Sequence, residues 1–541
     1  MVLGKYVEAD VNFEELAKDI SPKTHWGHER LVKYFQGAMD DVEVLEKRRN
    51  VILKLRQHFR KTPEDKSRAL KLLARAAEIE KALQEKVQME DERLKEYYAQ
   101  ILWEKNSFAA FLNESPLWLE AGNLWKVWLL PAITMFIPLV IVVLPYVIIR
   151  MTTQADITIP EYWELLQHIL KQQGGQSNMI AGMLLPPWVS VGGTTSQVGQ
   201  RWMQWLLSLF MFGSSIWQQA TLSQHLHTIT QDMRKRGGLI IELQGIWKDL
   251  SKMTGPVIDK YMDLPEHEDL PQDENTLGVF GFTWNRPHVL LGLMTNVGIV
   301  DVMITCASLP RIGFPTYVEG PETRLMIENF YHPHLAKDKI VTNTIDLLEA
   351  KSLHSLVTGP NRGGKSTSLK AILANVIVAQ SMGFCWAKRM TITPFKQIHT
   401  ALSPSDTLGR LSLFEAEIEF AKEILESLEP AKESGRSLLV MDEIFHSTNA
   451  IDGEEASRIF LDRLYALPQN ASLISTHYTR LPETYTEKKV IQPLCLQASV
   501  SKENSDCLVY TYKIQSGINS LSSVREILKE RGLLSDKTCA D

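Results

Sequence analysis

This 541-residue chain lacks a strong charge bias, metal-spaced cysteines and an apolar leader. A formal net charge of -6 leaves no global signature of a nucleic-acid binder. Five cysteines (Cys306, Cys385, Cys495, Cys507, Cys539) are scattered without ligand spacing, which suits a reducing compartment and argues against a disulfide scaffold. Met1 to Asp10 carries acids and no apolar core, so no cleavable signal peptide is expected. The length leaves room for about two to four domains.

Charge is also missing locally. Val127 to Ile149 contains no charged residue and is bracketed by Lys126 and Arg150. That length matches the roughly 20 apolar residues that cross a hydrocarbon core. Pro131, Pro138 and Pro145 recur along it; prolines are better tolerated in membrane helices than in water. The run predicts a membrane span, with a buried core helix as the other reading. A second apolar segment, Trp202 to Trp217, has Trp at both ends; it reads equally as a span or as a core or interfacial helix. Between the two, residues 151–200 hold Lys171 and no Arg, whereas Arg234, Lys235 and Arg236 follow. The positive-inside bias then predicts a hairpin with both ends cytosolic, which places the protein at a membrane with its C-terminal half on the cytosolic side; a soluble intracellular protein is the alternative.

Gly359-Pro360-Asn361-Arg362-Gly363-Gly364-Lys365-Ser366-Thr367 satisfies the phosphate-loop pattern, between a short apolar run (Leu356-Val357) and an apolar-periodic stretch (Leu369 to Ala379). Strand, loop and helix are therefore expected in that order. The glycines let backbone N–H groups converge on phosphate, and the helix start adds positive potential. Lys365 can reach the β- and γ-phosphates of ATP, and the Ser366 hydroxyl can ligate Mg²⁺. Downstream, Ser437 to Glu443 is an apolar run ending in Asp-Glu. It reads as a buried parallel strand that presents Asp442 to the metal and Glu443 to the attacking water. Ser472 to Ser475 reads as another strand, ending in Thr476-His477-Tyr478. A lone histidine is more often structural, but at this strand end His477 becomes a candidate for the γ-phosphate.

These residues resemble the MutS-type DNA mismatch repair ATPases, within the ABC-like class. GPNRGGKST is similar to the family's GPNMGGKST; MDEI with Thr448 and Asp452-Gly453 is similar to its Walker B region, and STHY to its switch histidine. Ser405-Asp406-Thr407-Leu408, Ser412-Leu413-Phe414 and Glu417 resemble the segment whose serine reaches across a dimer. The resemblance implies that Ser412 acts in trans and that a second MutS-like subunit, in a homodimer, completes the site. Gln515-Ser516-Gly517 resembles the strand-turn beside which a ring packs on adenine; Tyr512 is the nearest candidate, an exposed strand tyrosine being the other reading. Arg324 to Ile327 through His332-Pro333 is similar to the lead-in to the ATPase domain, and Glu29 to Val32 with Asp41 to Arg49 to the start of the family's lever.

Three departures stand against that likeness. Before residue 25 there is no room for mismatch-reading domains and no Phe-x-Glu wedge. The apolar residues 115–220 stand where the family inserts its DNA clamp. Phe445-His446-Ser447-Thr448 replaces the usual Gly-Arg-Gly-Thr. Lys47 to Arg75 carries eleven basic residues against Glu64 and Asp65; it reads as a solvated helix face, a DNA-binding surface or an attraction to anionic lipid.

The expected architecture is an α/β P-loop ATPase domain of ABC/MutS type (321–520), preceded by a mostly α-helical core or lever (1–114 and 221–320). An apolar, transmembrane hairpin is inserted at 115–220, with spans near 125–149 and 202–217, and a C-terminal helix and tail follow at 521–541. The expected activity is hydrolysis of ATP with Mg²⁺. Its output is recognition of mismatched or branched DNA, a membrane-anchored mechanochemical function without DNA, or a nucleotide-gated scaffold.

Overall fold

The computed structural model describes residues 1–84, 91–103, 107–153, 158, 161–162, 164–165, 195–261, 264–265, 268–271, 275–320, 322–348, 352–402, 413–428, 435–500 and 507–533. They divide into two compact units. The larger comprises Met1–Glu80, Ile246–Glu266 and Leu293–Asp541; the smaller comprises Lys81–Gly245 and His267–Gly292.

Eleven strands occur among the described residues: β1 (Val2–Leu3), β2 (Pro315–Tyr317), β3 (Arg324–Phe330), β4 (Asn343–Leu348), β5 (His354–Thr358), β6 (Arg389–Ile392), β7 (Gln397–Ala401), β8 (Ser437–Met441), β9 (Asn470–Ser475), β10 (Leu494–Val500) and β11 (Leu508–Ser516). All lie in the larger unit. Seven form one sheet in the order β1-β7-β8-β9-β5-β10-β11, and β2-β6-β3-β4 form a second. From β1 to β10 neighbours in the large sheet are parallel, and only β11 runs antiparallel to β10. Every residue of β5, β8 and β9 is buried, as expected of parallel strands covered on both faces. Helix Lys365–Met382, which follows β5, is buried on nearly all sides, so its apolar side chains are spread round the helix rather than along one stripe.

The amino terminus joins this sheet. Val2 and Leu3 pair with Gln397 and Ile398, and Asp10 accepts from the Leu402 amide at 3.0 Å. A two-residue strand carries no periodicity that sequence reading can detect. In helix His25–Gln36, first-turn amides are held by distant carboxylates: Glu80 accepts from His25 and Trp26 at 2.6 and 2.8 Å. Buried Asp301 accepts from the Thr24 amide and hydroxyl at 2.7 and 2.8 Å. The basic stretch is partly structural too. In helix Val42–Lys61, Arg48 donates to the Ser381 carbonyl at 2.6 Å, Arg49 to Pro315 at 3.0 Å, and Arg56 to Leu309. Cys306, Cys385 and Cys495 are buried free thiols, whereas Cys507 is disulfide-bonded.

The smaller unit is helical among its described residues. Its core gathers Tyr98, Leu119, Val127, Ile229, Met233 and Phe280. A π-helical turn, Leu124–Leu129, runs into helix Leu130–Thr153, which contains all three prolines of the apolar run. Trp202 to Trp217 belongs to helix Thr195–Tyr261. The connection between these helices lies largely outside the described residues, so the expected hairpin is not defined. Large apolar side chains stay exposed on the π-helical turn and on both helices: Trp128 at 55%, Leu144 at 51%, Phe210 at 70% and Trp217 at 75%. Among the described residues one helix, Pro287–Ser308, meets the length and apolarity needed to cross a membrane, and 72% of its apolar window is buried.

Candidate nucleotide site

The phosphate loop leaves the C-terminal end of β5 and enters helix Lys365–Met382. Gly359 takes φ +146° and Gly364, at the helix N-cap, +94°, conformations that cost other residues about 1–2 kcal/mol. A cavity of about 790 Å³ opens on the loop and is lined by Pro360, Asn361, Arg362, Gly364, Lys365, Ser366 and Thr367, by Glu443, and by Tyr512. Tyr331, His332, Asp338, Lys339 and Asn343 line it too. Gly359 and His477 instead line a second, smaller cavity of about 260 Å³, which Pro360 and Asn361 share. Gly363 is buried within the loop.

Lys365 is 4% exposed, and its Nζ donates to the Gly359 carbonyl at 3.0 Å. Burial pulls its ammonium below the ordinary lysine value, and the Glu443 and Asp442 carboxylates oppose that shift. Arg362 carries φ +66° and is ion-paired with Glu530 of helix Val524–Glu530.

The two carboxylates follow β8 directly. Ser475, at the end of adjacent β9, joins them: its hydroxyl donates to Asp442 Oδ1 and accepts from the Glu443 amide at 2.8 Å. Glu443 adopts φ +54°. His477 Nε2 lies 2.6 Å from Glu443 Oε1, and this hydrogen bond is the main cause holding the Glu443 carboxyl below its usual value. Asp442 is not among the residues lining either cavity.

Tyr512 reaches the cavity because β11 bulges. Register passes from Leu496–Ile514 to Ala498–Tyr510, so Thr511 to Lys513 stand opposite Gln497 alone. Such a bulge re-aims a side chain. Asn343 holds it from both sides, donating to the Tyr512 carbonyl at 2.9 Å and accepting from the Ile514 amide at 2.8 Å. Ser412, with Ser405 to Leu408, lies outside the described residues.

Ser475, His332 and Asn343 have no part in the sequence-level site. Ser475 stands inside the STHY motif, so a signal existed; the other two are brought in by β3 and β4. Burial pushes the His332 imidazole down to about 4, so this side chain is uncharged near pH 7.

The donor set suits a hard cation with a polyphosphate. Ser366 and Asp442 offer oxygen ligands, and no cluster of three or more His, Cys, Asp or Glu able to hold a metal occurs among the described residues. A Mg²⁺ ion bound here draws its remaining ligands from phosphate and water.

Residues 355–532 match the family described as MutS domain V. The chain is 26% identical over 255 residues to the DNA mismatch repair protein MutS of Solibacter usitatus, covering 46% of this chain and 28% of that protein. It is 27% identical over 258 residues to the endonuclease MutS2 of Staphylococcus epidermidis (47% and 31%). Against the DNA mismatch repair protein MSH3 of Cryptococcus neoformans it is 26% identical over 209 residues (37% and 17%). The matches thus span less than a third of the length of these relatives. They relate the α/β part of this chain to the MutS family through its domain V.

Proposed function

We propose that the chain is an ATP-hydrolysing, MutS-like protein that works as a dimer and is tethered to a membrane through residues 115–220. The single observation that carries the ATPase reading is the cavity in which phosphate-loop residues, Glu443 and Tyr512 share one wall system. Loop amides and Lys365 hold the phosphates, whose negative charge favours the protonated ammonium and so opposes the effect of burial on Lys365. Ser366 and Asp442 would hold Mg²⁺, which would supply positive charge to offset that of the phosphates. Glu443, kept ionised by His477, orients and polarises water for attack on the γ-phosphorus. Tyr512 packs on the base, and a second subunit supplies Ser412.

The relatives' names link this reading to mismatch repair, so binding of mismatched or branched DNA is one output. A second reading is a membrane-anchored mechanochemical ATPase or a nucleotide-gated scaffold without DNA. The exposed apolar faces around Trp128, Leu144 and Phe210 favour it, because soluble surfaces rarely expose contiguous patches of that kind.

The test uses detergent-purified full-length protein. Mg²⁺-dependent ATP turnover supports the ATPase; absence of turnover contradicts it. Retention of mismatched or branched duplex that falls by orders of magnitude between low and moderate salt supports the DNA output. No retention at low salt, with a DNA-independent turnover rate, removes it.

A further inference from the structure

We infer that Glu417 and His446 are positioning residues for hydrolysis, bracing the backbone of Glu443; this rests on the ATPase reading above. Glu443 and Phe445 both sit in the left-handed region, at φ +54° and +47°. Neither is glycine, so the turn after β8 persists only if its surroundings hold it.

The surroundings do so with three consecutive side chains. The Phe445 ring is buried, edge-on to Phe414 and Phe460 with centroids 6.2 and 6.1 Å away. His446 Nδ1 lies 3.0 Å from the Glu443 carbonyl oxygen and 3.1 Å from Glu417 Oε1. Both of those are acceptors, so Nδ1 carries the hydrogen. Ser447 Oγ donates to Glu417 Oε2 at 2.6 Å. Both oxygens of a carboxylate that is only 13% exposed are thus used on one turn. Tyr478 adds a fourth tie, its hydroxyl donating to the Phe445 carbonyl at 2.7 Å. A Cβ on Gly453 would stand 2.1 Å from that hydroxyl, so glycine at 453 is what admits it.

The brace touches the peptide of Glu443, not its carboxylate. The carboxylate belongs to His477 and the amide to Ser475. Loss of the brace therefore frees the direction in which the base points while leaving the phosphate loop untouched. Small misplacements of a reacting group cost rate far more than binding.

The test compares Glu417→Gln, His446→Ala and His446→Asn with the wild type and Glu443→Gln. Glu417→Gln and His446→Ala are expected to lower kcat roughly tenfold to a hundredfold, with KM for ATP and the thermal melt close to wild type. The Asn amide replaces the Nδ1 donor, so His446→Asn recovers most of kcat. The double variant is no worse than the poorer single, because the two act as a unit. An active wild type and an inert Glu443→Gln, with wild-type kcat in both Glu417→Gln and His446→Ala, overturns the brace and leaves the ATPase reading standing. A kcat loss that His446→Asn does not relieve also overturns it. An inert wild type contradicts the ATPase reading and the brace together.

Discussion

The larger unit pairs its chemical groups, and the smaller one exposes large apolar side chains. Around the nucleotide cavity, polar groups are placed by partners: Lys365 by Gly359, Glu443 by His477, Asp442 by Ser475. Along helices Leu130–Thr153 and Thr195–Tyr261, Trp, Leu, Phe and Met side chains face outward without that order. Polar groups in low dielectric must be paired to be tolerated, whereas large apolar side chains gathered on a surface mark a site of interaction with a protein, a ligand or a membrane. The larger unit thus carries the phosphate loop and the smaller one the uncharged run.

The contrast can be broken most strongly by charging the apolar helix. Val143→Arg with Leu144→Arg should cost about 2 kcal/mol or more per residue if those positions lie in lipid. Carbonate extraction should then shift the protein from pellet to supernatant. A wild type already wholly soluble contradicts the membrane half of the comparison.

Within the larger unit, Asp301→Ala should destabilise by about 3 kcal/mol, because it leaves the Thr24 donors of helix His25–Gln36 unpaired in a buried setting. Urea unfolding followed by circular dichroism measures it, and a change under about 0.5 kcal/mol, ordinary for a surface site, denies the capping role. A smaller effect is expected at the cavity rim. Tyr512→Ala should raise the Kd for ATP several-fold, about 1 kcal/mol, with kcat nearly unchanged; an unaltered Kd means the ring stays in solvent.

The finest distinction concerns pH. His477 is the largest cause lowering the Glu443 pKa, so the ionised base survives further into acid than an isolated glutamate. In His477→Ala that pKa rises, and turnover falls away at a higher pH as the solution is acidified. Normalised kcat–pH profiles measure the displacement, and an unmoved acid limb contradicts the pairing.

What could be read before the structure was the chemistry carried by contiguous residues. A phosphate loop, an Asp-Glu after an apolar run and a Thr-His at a strand end are local, because each sits on one strand or the turn beside it. What could not be read depends on register and on chain-distant partners. Tyr512 enters the cavity only through a bulge against Gln497, Asn343 reaches it from β4, and β1 joins the sheet edge with two residues. Glu417 was visible as part of a family-like segment, but its use by His446 and Ser447 required the turn itself. The apolar run was legible as a helix without charge, while its surroundings were not, since sequence does not distinguish a lipid-facing helix from a core one.

The account turns on Glu443 as the group that activates water. Its most direct test is the Glu443→Gln variant, measured by nucleotide binding and by single-turnover hydrolysis under the same conditions. ATP should bind with near wild-type affinity while hydrolysis falls by at least about a hundredfold. Turnover at the wild-type rate would contradict the assignment of the base and, with it, the mechanism built on the cavity.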